Sequence, residues 1–199
     1  MGKVIVMNWL TLDGVMQGPG RPDEDVRGGF SRGGWGVRFS DEATAAQMGE
    51  RLARLTGGNH AWLFGRWTYE SLLASWDAQG GPFKDALINA DKYVASRNPA
   101  MRLDWPNSTL LQGDVPSAVT ELKHSSDTNL VIMGSGVLIG ALISAEVIDE
   151  YLVMIAPVVL GAGARMFRDG VSASLRLTET AATGKGVIVA TYETVRAAA

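Results

Sequence analysis

The chain contains no cysteine, which removes disulfide bonds, thiolate catalysis and cysteine-ligated zinc or iron–sulfur centres. Histidine is scarce. His60 and His124 are the only two, and neither lies in a metal-spaced motif. Metal chemistry would therefore have to be carboxylate-based, and no tight carboxylate cluster stands out. Positive charge is not in excess: a formal net charge of -3 gives no long-range attraction for DNA, RNA or an anionic membrane. No run approaches the roughly twenty apolar residues needed to span a bilayer. The start passes from Lys3 directly into a strand pattern, without an apolar leader and small-residue cleavage site. These absences predict a soluble cytoplasmic protein with no nucleic-acid and no membrane partner.

What is present points to an ordinary globular core. A length of 199 residues, a hydrophobic fraction of 46% and a charged fraction of 20% predict one domain spanning 1–199. The organising stretch runs from Leu130 to Phe167. An apolar run, Leu130 to Met133, meets Gly134-Ser135-Gly136, then a helix-compatible segment through about Ser144, then a second strand-like run from Val147 to Ala156. Strand, tight glycine turn, helix and strand are the pieces of a parallel sheet covered by helices. A glycine turn between a buried strand and a helix also leaves backbone N–H groups facing outward, which suits a phosphate or pyrophosphate.

The rest of the chain repeats that alternation. Lys3 to Trp9 reads as an interior strand, and Thr11, Asp13 and Gly14 fall where it would end, the edge at which ligands sit in open parallel sheets. Asp13 is either a site residue or the acceptor of its own turn. Met16 to Gly36 is too long and too rich in glycine and charge for a plain connector, and reads as a binding loop or lid. Trp35 near its end either stacks on a planar ligand or anchors the loop. Ser40 is the expected cap of the next helix, with Asp41 and Glu42 in its first turn and Gly57-Gly58 at its stop. Asp41 is also positioned to bind an amidine-like edge of a pterin or pyrimidine through charge-assisted hydrogen bonds.

His60 to Phe64 reads as a strand running into Gly65-Arg66-Trp67-Thr68-Tyr69-Glu70, where Gly65 permits the turn and Arg66 and Thr68 add a charge and a hydroxyl. Asp91 to Ala95 predicts another strand, followed by Ser96-Arg97-Asn98-Pro99, in which Ser96 and Arg97 suit an extra phosphate. Short helices are expected over Phe83 to Ile88 and Val115 to Lys123, and a short strand over Thr109 to Leu111. Leu175 to Thr183 and Val187 to Thr194, joined at Gly184-Lys185-Gly186, read as a closing hairpin. The final alanines read as a frayed end.

Taken together, Leu12-Asp13-Gly14, the Gly65 to Glu70 signature, Ser96-Arg97-Asn98, Met133-Gly134-Ser135-Gly136, and Asp149-Glu150 followed by Pro157 and Gly161-Ala162-Gly163 resemble the dihydrofolate reductase superfamily. The resemblance runs from about Val4 to Val195 and is strongest to bacterial members similar to the reductase domain of riboflavin biosynthesis. It implies an α/β, dihydrofolate-reductase-like three-layer fold with a mostly parallel central sheet and antiparallel C-terminal strands. It implies NADPH as cofactor, with Gly65, Arg66 and Thr68 around its phosphates and Ser96 with Arg97 at the adenosine 2′-phosphate. Gly134, Ser135, Gly136, Val137 and Leu138 would approach the pyrophosphate and nicotinamide. It further implies a planar heterocyclic substrate and a homodimer, which the apolar late strands also suggest. Asp13 and Asp41, by their positions at a strand end and a helix start, are the candidate catalytic acids. Two departures accompany it. Asp41 only approximates the folate-binding acid of true dihydrofolate reductases, and the late glycine turn reads Ser135-Gly136-Val137 where riboflavin reductases carry an acid. The departures leave open a nucleotide-binding protein without efficient reduction, and a structural protein whose glycines only shape the fold.

Overall fold

The computed structural model describes residues 1–196; the alanines expected to form a frayed end, 197–199, lie outside the described residues. The first strand, β1 (Val4–Thr11), is buried along almost its whole length, as a run rich in β-branched residues is when both sheet faces are covered. It is followed by α1 (Glu42–Thr56), β2 (His60–Gly65), α2 (Arg66–Gln79), α3 (Pro82–Asn89), β3 (Lys92–Ala95) and β4 (Ser108–Leu110). The second half comprises α4 (Val115–Ser125), β5 (Asn129–Met133), α5 (Gly136–Ser144), β6 (Glu150–Ala156), β7 (Ser174–Ala182) and β8 (Ile188–Val195).

The eight strands form one sheet in the order β4-β3-β2-β5-β1-β6-β8-β7. All pairings from β4 to β6 are parallel, whereas β8 runs antiparallel to both β6 and β7. The expected mixed sheet and closing hairpin are therefore present, with the hairpin strands within one residue of their predicted bounds at each end. Alternate residues of β1 enter opposite cores. Val4, Val6 and Leu10 pack with Val119 of α4 and Leu138, Ile139 and Leu142 of α5. Ile5 and Met7 pack with Tyr69 and Leu73 of α2 and Leu87 of α3, and Met48, Leu52 and Leu55 of α1 pack onto that cluster. Helices thus cover the sheet on both sides, giving the three layers. The α5 stretch GVLIGALIS buries four large aliphatic side chains, each contributing about 1.5–3 kcal/mol over its exposed state, which anchors the turn that precedes it.

The first strand runs to Thr11, two residues past its expected end, most other elements lie within two residues of expectation, and two further differences trace to specific partners. Val147 and Ile148 are buried but precede β6, because the Val147 N–H closes α5 onto Leu142 O at 3.0 Å instead of joining a ladder. Asp41, not Ser40, caps α1: its side chain accepts from Thr44 N at 2.8 Å while its backbone is extended. Gly57, at φ 62°, supplies the predicted left-handed stop. At the N-terminal edge of the sheet, Asp149 accepts from Val4 N at 2.8 Å and pairs with Lys123 and Arg196, and Glu150 pairs with Lys3. These two carboxylates tie β1 and β6 together.

Candidate functional site

Sequence-distant motifs meet at the C-terminal edge of the parallel strands because β3, β2, β5 and β1 are consecutive neighbours. Their ends carry, in that order, Ser96-Arg97, Gly65 to Thr68, Gly134 to Leu138, and Leu12-Asp13-Gly14. At about 4.8 Å per strand this row spans roughly 14 Å, the scale of an extended dinucleotide.

The two glycine turns are laced together. Gly65 N donates to Ser135 Oγ at 2.9 Å, and Ser135 N donates to Thr68 Oγ1 at 3.0 Å. Ser135 Oγ lies 3.0 Å from Thr68 Oγ1. Because Ser135 Oγ receives the Gly65 N–H, its own proton is directed to Thr68 Oγ1 or to Met133 O at 3.3 Å. With Ser135 donating, Thr68 accepts twice and its hydroxyl proton is left to be given away. Gly134 has to be glycine here: at φ 65° an added Cβ would lie 2.9 Å from the Thr68 side chain. Ser135 is left-handed as well, at φ 61°, an uncommon conformation for a residue with a Cβ. The first-turn N–H groups of α5, from Gly136, Val137 and Leu138, have no partner within the helix and carry its positive dipole end. Met16 lies beside this turn, its Sδ 3.0 Å from where a Gly136 Cβ would be.

Arg66 is exposed and paired at 3.6 Å with Glu70, one turn along its own helix. Arg97 is exposed, and Ser96 Oγ accepts from Asn98 N at 3.1 Å to form a small turn. These side chains can hold an anion, and no geometry among them forces one.

Asp13 is committed to the chain. Its carboxylate accepts from Thr11 Oγ1 at 2.6 Å, Leu160 N at 3.1 Å and Gly161 N at 2.7 Å. The Thr11 hydroxyl foremost, with the two N–H groups, holds the carboxyl down at about 2 against the opposing effect of burial. The Leu12-Asp13-Gly14 and Gly161-Ala162-Gly163 motifs are therefore two halves of one structural lock. Gly163 completes it at φ 118°, where a Cβ would meet Val15 and Phe30 at 2.7 and 2.8 Å. Asp41 is likewise engaged, with the Thr44 hydroxyl and then its N–H lowering its carboxyl pKa. Because the folded chain binds the Asp13 proton less tightly than an ordinary carboxyl near 3.8, this contribution to stability is full above about pH 4 and lost as pH falls toward about 2. Asp13→Asn is expected to flatten that part of the acid limb in thermal melts; an unaltered limb would contradict the assignment.

The long loop is docked, not loose. Trp35 is 5% exposed in a cluster with Val15, Phe30, Ala156 and Leu160, and its Nε1 donates to Gln17 O at 2.8 Å. Of its two readings, anchoring is the one observed. Arg21 bonds Ser75 and Arg27 stacks 4.3 Å over the Trp67 ring, so the loop crosses onto α2 beside the Gly65 turn.

Asn8 was not singled out in the sequence. An asparagine inside the run VIVMNWLT is the available signal, but its partner lies 126 residues away: Gly134 N donates to Asn8 Oδ1 at 2.7 Å, and Asn8 Nδ2 donates to Gly134 O at 3.3 Å. An open groove of about 560 Å³ elsewhere, between α4 and the residues after α5, includes none of these groups. Among the described residues no three His, Cys, Asp or Glu side chains are grouped to hold a metal ion, and no helix is long and apolar enough to cross a membrane.

The profile of the RibD C-terminal domain matches residues 2–189. The chain belongs to this family. It is a distant member of the dihydrofolate reductase and RibD-like superfamily. A Shewanella sp. PV-4 protein provisionally named for riboflavin biosynthesis superposes with a TM-score of 0.67 at 19% identity, covering 98% of this chain and 99% of its own. A pyrimidine reductase-like protein of Corynebacterium diphtheriae gives 0.66 at 13% identity, over 98% and 93% of the two chains. Dihydrofolate reductase from Enterococcus faecalis, complexed with NADP(H) and RAB-propyl, gives 0.57 at 16% identity, over 97% and 95%. No curated protein matches the chain. At these identities the likeness establishes the fold.

Proposed function

We propose that the protein is an NADPH-dependent reductase that delivers a hydride to a pterin, pyrimidine or related planar heterocycle. The observation that carries this reading is the interlocked pair of turns, Gly65 with Ser135 and Thr68, which sets the first turns of α2 and α5 side by side at the ends of the neighbouring strands β2 and β5. Family membership and the NADP(H) held by the Enterococcus faecalis enzyme support the cofactor assignment. Thr68, Arg66 and the free N–H groups of Gly136, Val137 and Leu138 then take the phosphates, and Ser96 with Arg97 the 2′-phosphate. Gly65, Gly134 and Ser135, whose N–H groups are bonded within the protein, shape the turns against which the cofactor lies. The reduced nicotinamide supplies the hydride; the chain binds, orients and excludes water.

The hydride must be matched by a proton. Asp13 and Asp41 were the sequence candidates, yet both accept hydrogen bonds from the protein, and Asp13 is ionised at neutral pH. This favours delivery through water, with the two carboxylates shaping the loop and the helix start. Turnover of Asp13→Asn and Asp41→Asn decides between these: retention of most of the wild-type rate supports water, and loss of turnover without loss of folding returns the role to the carboxylate.

A nucleotide-binding protein that does not reduce is the second reading, favoured by the absence of an acid in Ser135-Gly136-Val137. Following NADPH oxidation across a panel of pterins and aminopyrimidines separates the two. Acceptor-dependent oxidation with at least one compound supports the reductase; saturable binding without oxidation across the panel supports the binder.

The proposal includes a cytoplasmic homodimer of single-domain chains. The paired late strands support self-association: Leu177 and Ile188 lie on one face of the hairpin with Tyr192 and are 50% and 41% exposed. Sedimentation should show a dimer that Leu177→Lys weakens; a wild-type monomer at working concentration would reject it.

A further inference from the structure

We propose that Asn8 is a positioning residue for dinucleotide binding, holding the Gly134 peptide so that the start of α5 faces the ligand. This rests on the nucleotide reading above. Asn8 is 5% exposed and is the polar residue on the β1 face that otherwise presents Val4, Val6 and Leu10 to the α4–α5 core. Burying a primary amide among apolar side chains is costly unless its donors and acceptor are satisfied. Here the amide is spent on one peptide unit from the other half of the chain. It accepts the Gly134 N–H at 2.7 Å and donates to Gly134 O at 3.3 Å, with Met166 Sδ as a weak further acceptor at 3.8 Å.

The turn needs such a clamp. Gly134 and Ser135 are consecutive left-handed residues at φ 65° and 61°, and the second is not glycine. A backbone of this kind persists where its surroundings over-determine it, which is common at ligand sites. Ser135 is fixed from the side of β2 and α2 by Gly65 and Thr68. Gly134 is fixed from the side of β1 by Asn8. Together they aim the free N–H groups of Gly136, Val137 and Leu138 along the row of strand ends. Asn8 touches no ligand in this account and acts through Gly134.

The test is titration of the full chain with NADP⁺ at several pH values, comparing wild type with Asn8→Leu, Asn8→Asp and, as a control for simple destabilisation, Lys92→Met. Asn8→Leu removes both bonds and is expected to weaken NADP⁺ binding about tenfold or more, while Lys92→Met leaves it unchanged. Asn8→Asp carries the decisive signature. A buried aspartate is raised in pKa, and its protonated form offers the same donor and acceptor as the amide; its ionised form repels Gly134 O. Its affinity relative to wild type should therefore approach unity in mild acid and fall about tenfold as pH rises through that raised pKa. If Asn8→Leu fails to fold, the Asn8→Asp profile alone decides. Wild-type affinity in Asn8→Leu, or a pH-independent ratio for Asn8→Asp, overturns the positioning role and leaves the nucleotide reading standing. Failure of folded wild type to bind NADP⁺ overturns both.

Discussion

Gly134→Ala is expected to destabilise the protein by about 3 kcal/mol, the sum of roughly 1–2 for a left-handed residue with a Cβ and roughly 1–3 for overpacking. Gly134 sits at φ 65°, and the new methyl group would stand 2.9 Å from Thr68 Cγ2 and Oγ1. Thr68 cannot yield cheaply, because its hydroxyl is the acceptor for both Ser135 N and Ser135 Oγ. The substitution therefore strikes the fold and the site at once. At this chain length the melting temperature should fall by about 6–12 °C, and NADPH affinity should drop with it. A melt within about a degree of wild type would show that the turn relaxes freely, and that its geometry is not what the site depends on.

Lys92→Met is expected to cost about 2 kcal/mol without touching nucleotide affinity, given roughly 1–3 kcal/mol for each buried acceptor left unpaired. Lys92 is 1% exposed, and its ammonium closes the end of α3 by donating to Leu87 O at 2.7 Å, Ile88 O at 3.1 Å and Ala90 O at 2.6 Å. Opposing terms set the size. Burial lowers the lysine pKa despite the nearby Asp91, so the carbonyls do not fully offset desolvation, and removing the charge recovers part of that cost. Ile88 O also keeps a second donor in Asn107 Nδ2 at 3.3 Å. The unpaired Leu87 and Ala90 carbonyls then decide the sign. Because the folded-state pKa lies below the ordinary 10.5, the folded chain sheds this proton first. Wild type should gain stability relative to the variant as pH rises through the window just below 10.5. Denaturant midpoints of the two proteins check both statements; equal midpoints would show that water replaces the ammonium without cost.

Such effects mark where sequence reading stops. The parallel strands were legible because β1, β2 and β5 are short apolar runs punctuated by glycine, and burial on both faces demands little else. The closing hairpin was legible from Gly184-Lys185-Gly186. Placement of Ser96-Arg97, Gly65 to Thr68 and Gly134 to Leu138 on one edge followed from the same alternation once all three strands were parallel. What could not be read were choices made by tertiary partners. Asp41 displaced Ser40 as the helix cap because Thr44 offers it both an N–H and a hydroxyl. Trp35 turned inward because Gln17 O and an apolar cluster were there to receive it. Asp13 found its partners at Leu160 and Gly161, and Asn8 found Gly134. Neither pairing has local periodicity, since each joins segments more than a hundred residues apart that meet only when the sheet forms.

The central claim is that a nicotinamide dinucleotide lies along the row of strand ends from Arg97 to Gly134. Calorimetric titration with NADPH and NADH, on wild type and Arg97→Ala in parallel, tests it most directly. The account predicts saturable binding by wild type that favours NADPH, and loss of that preference in Arg97→Ala with NADH affinity little changed. Absence of binding by either nucleotide to folded wild type, or an NADPH preference untouched by Arg97→Ala, would contradict it.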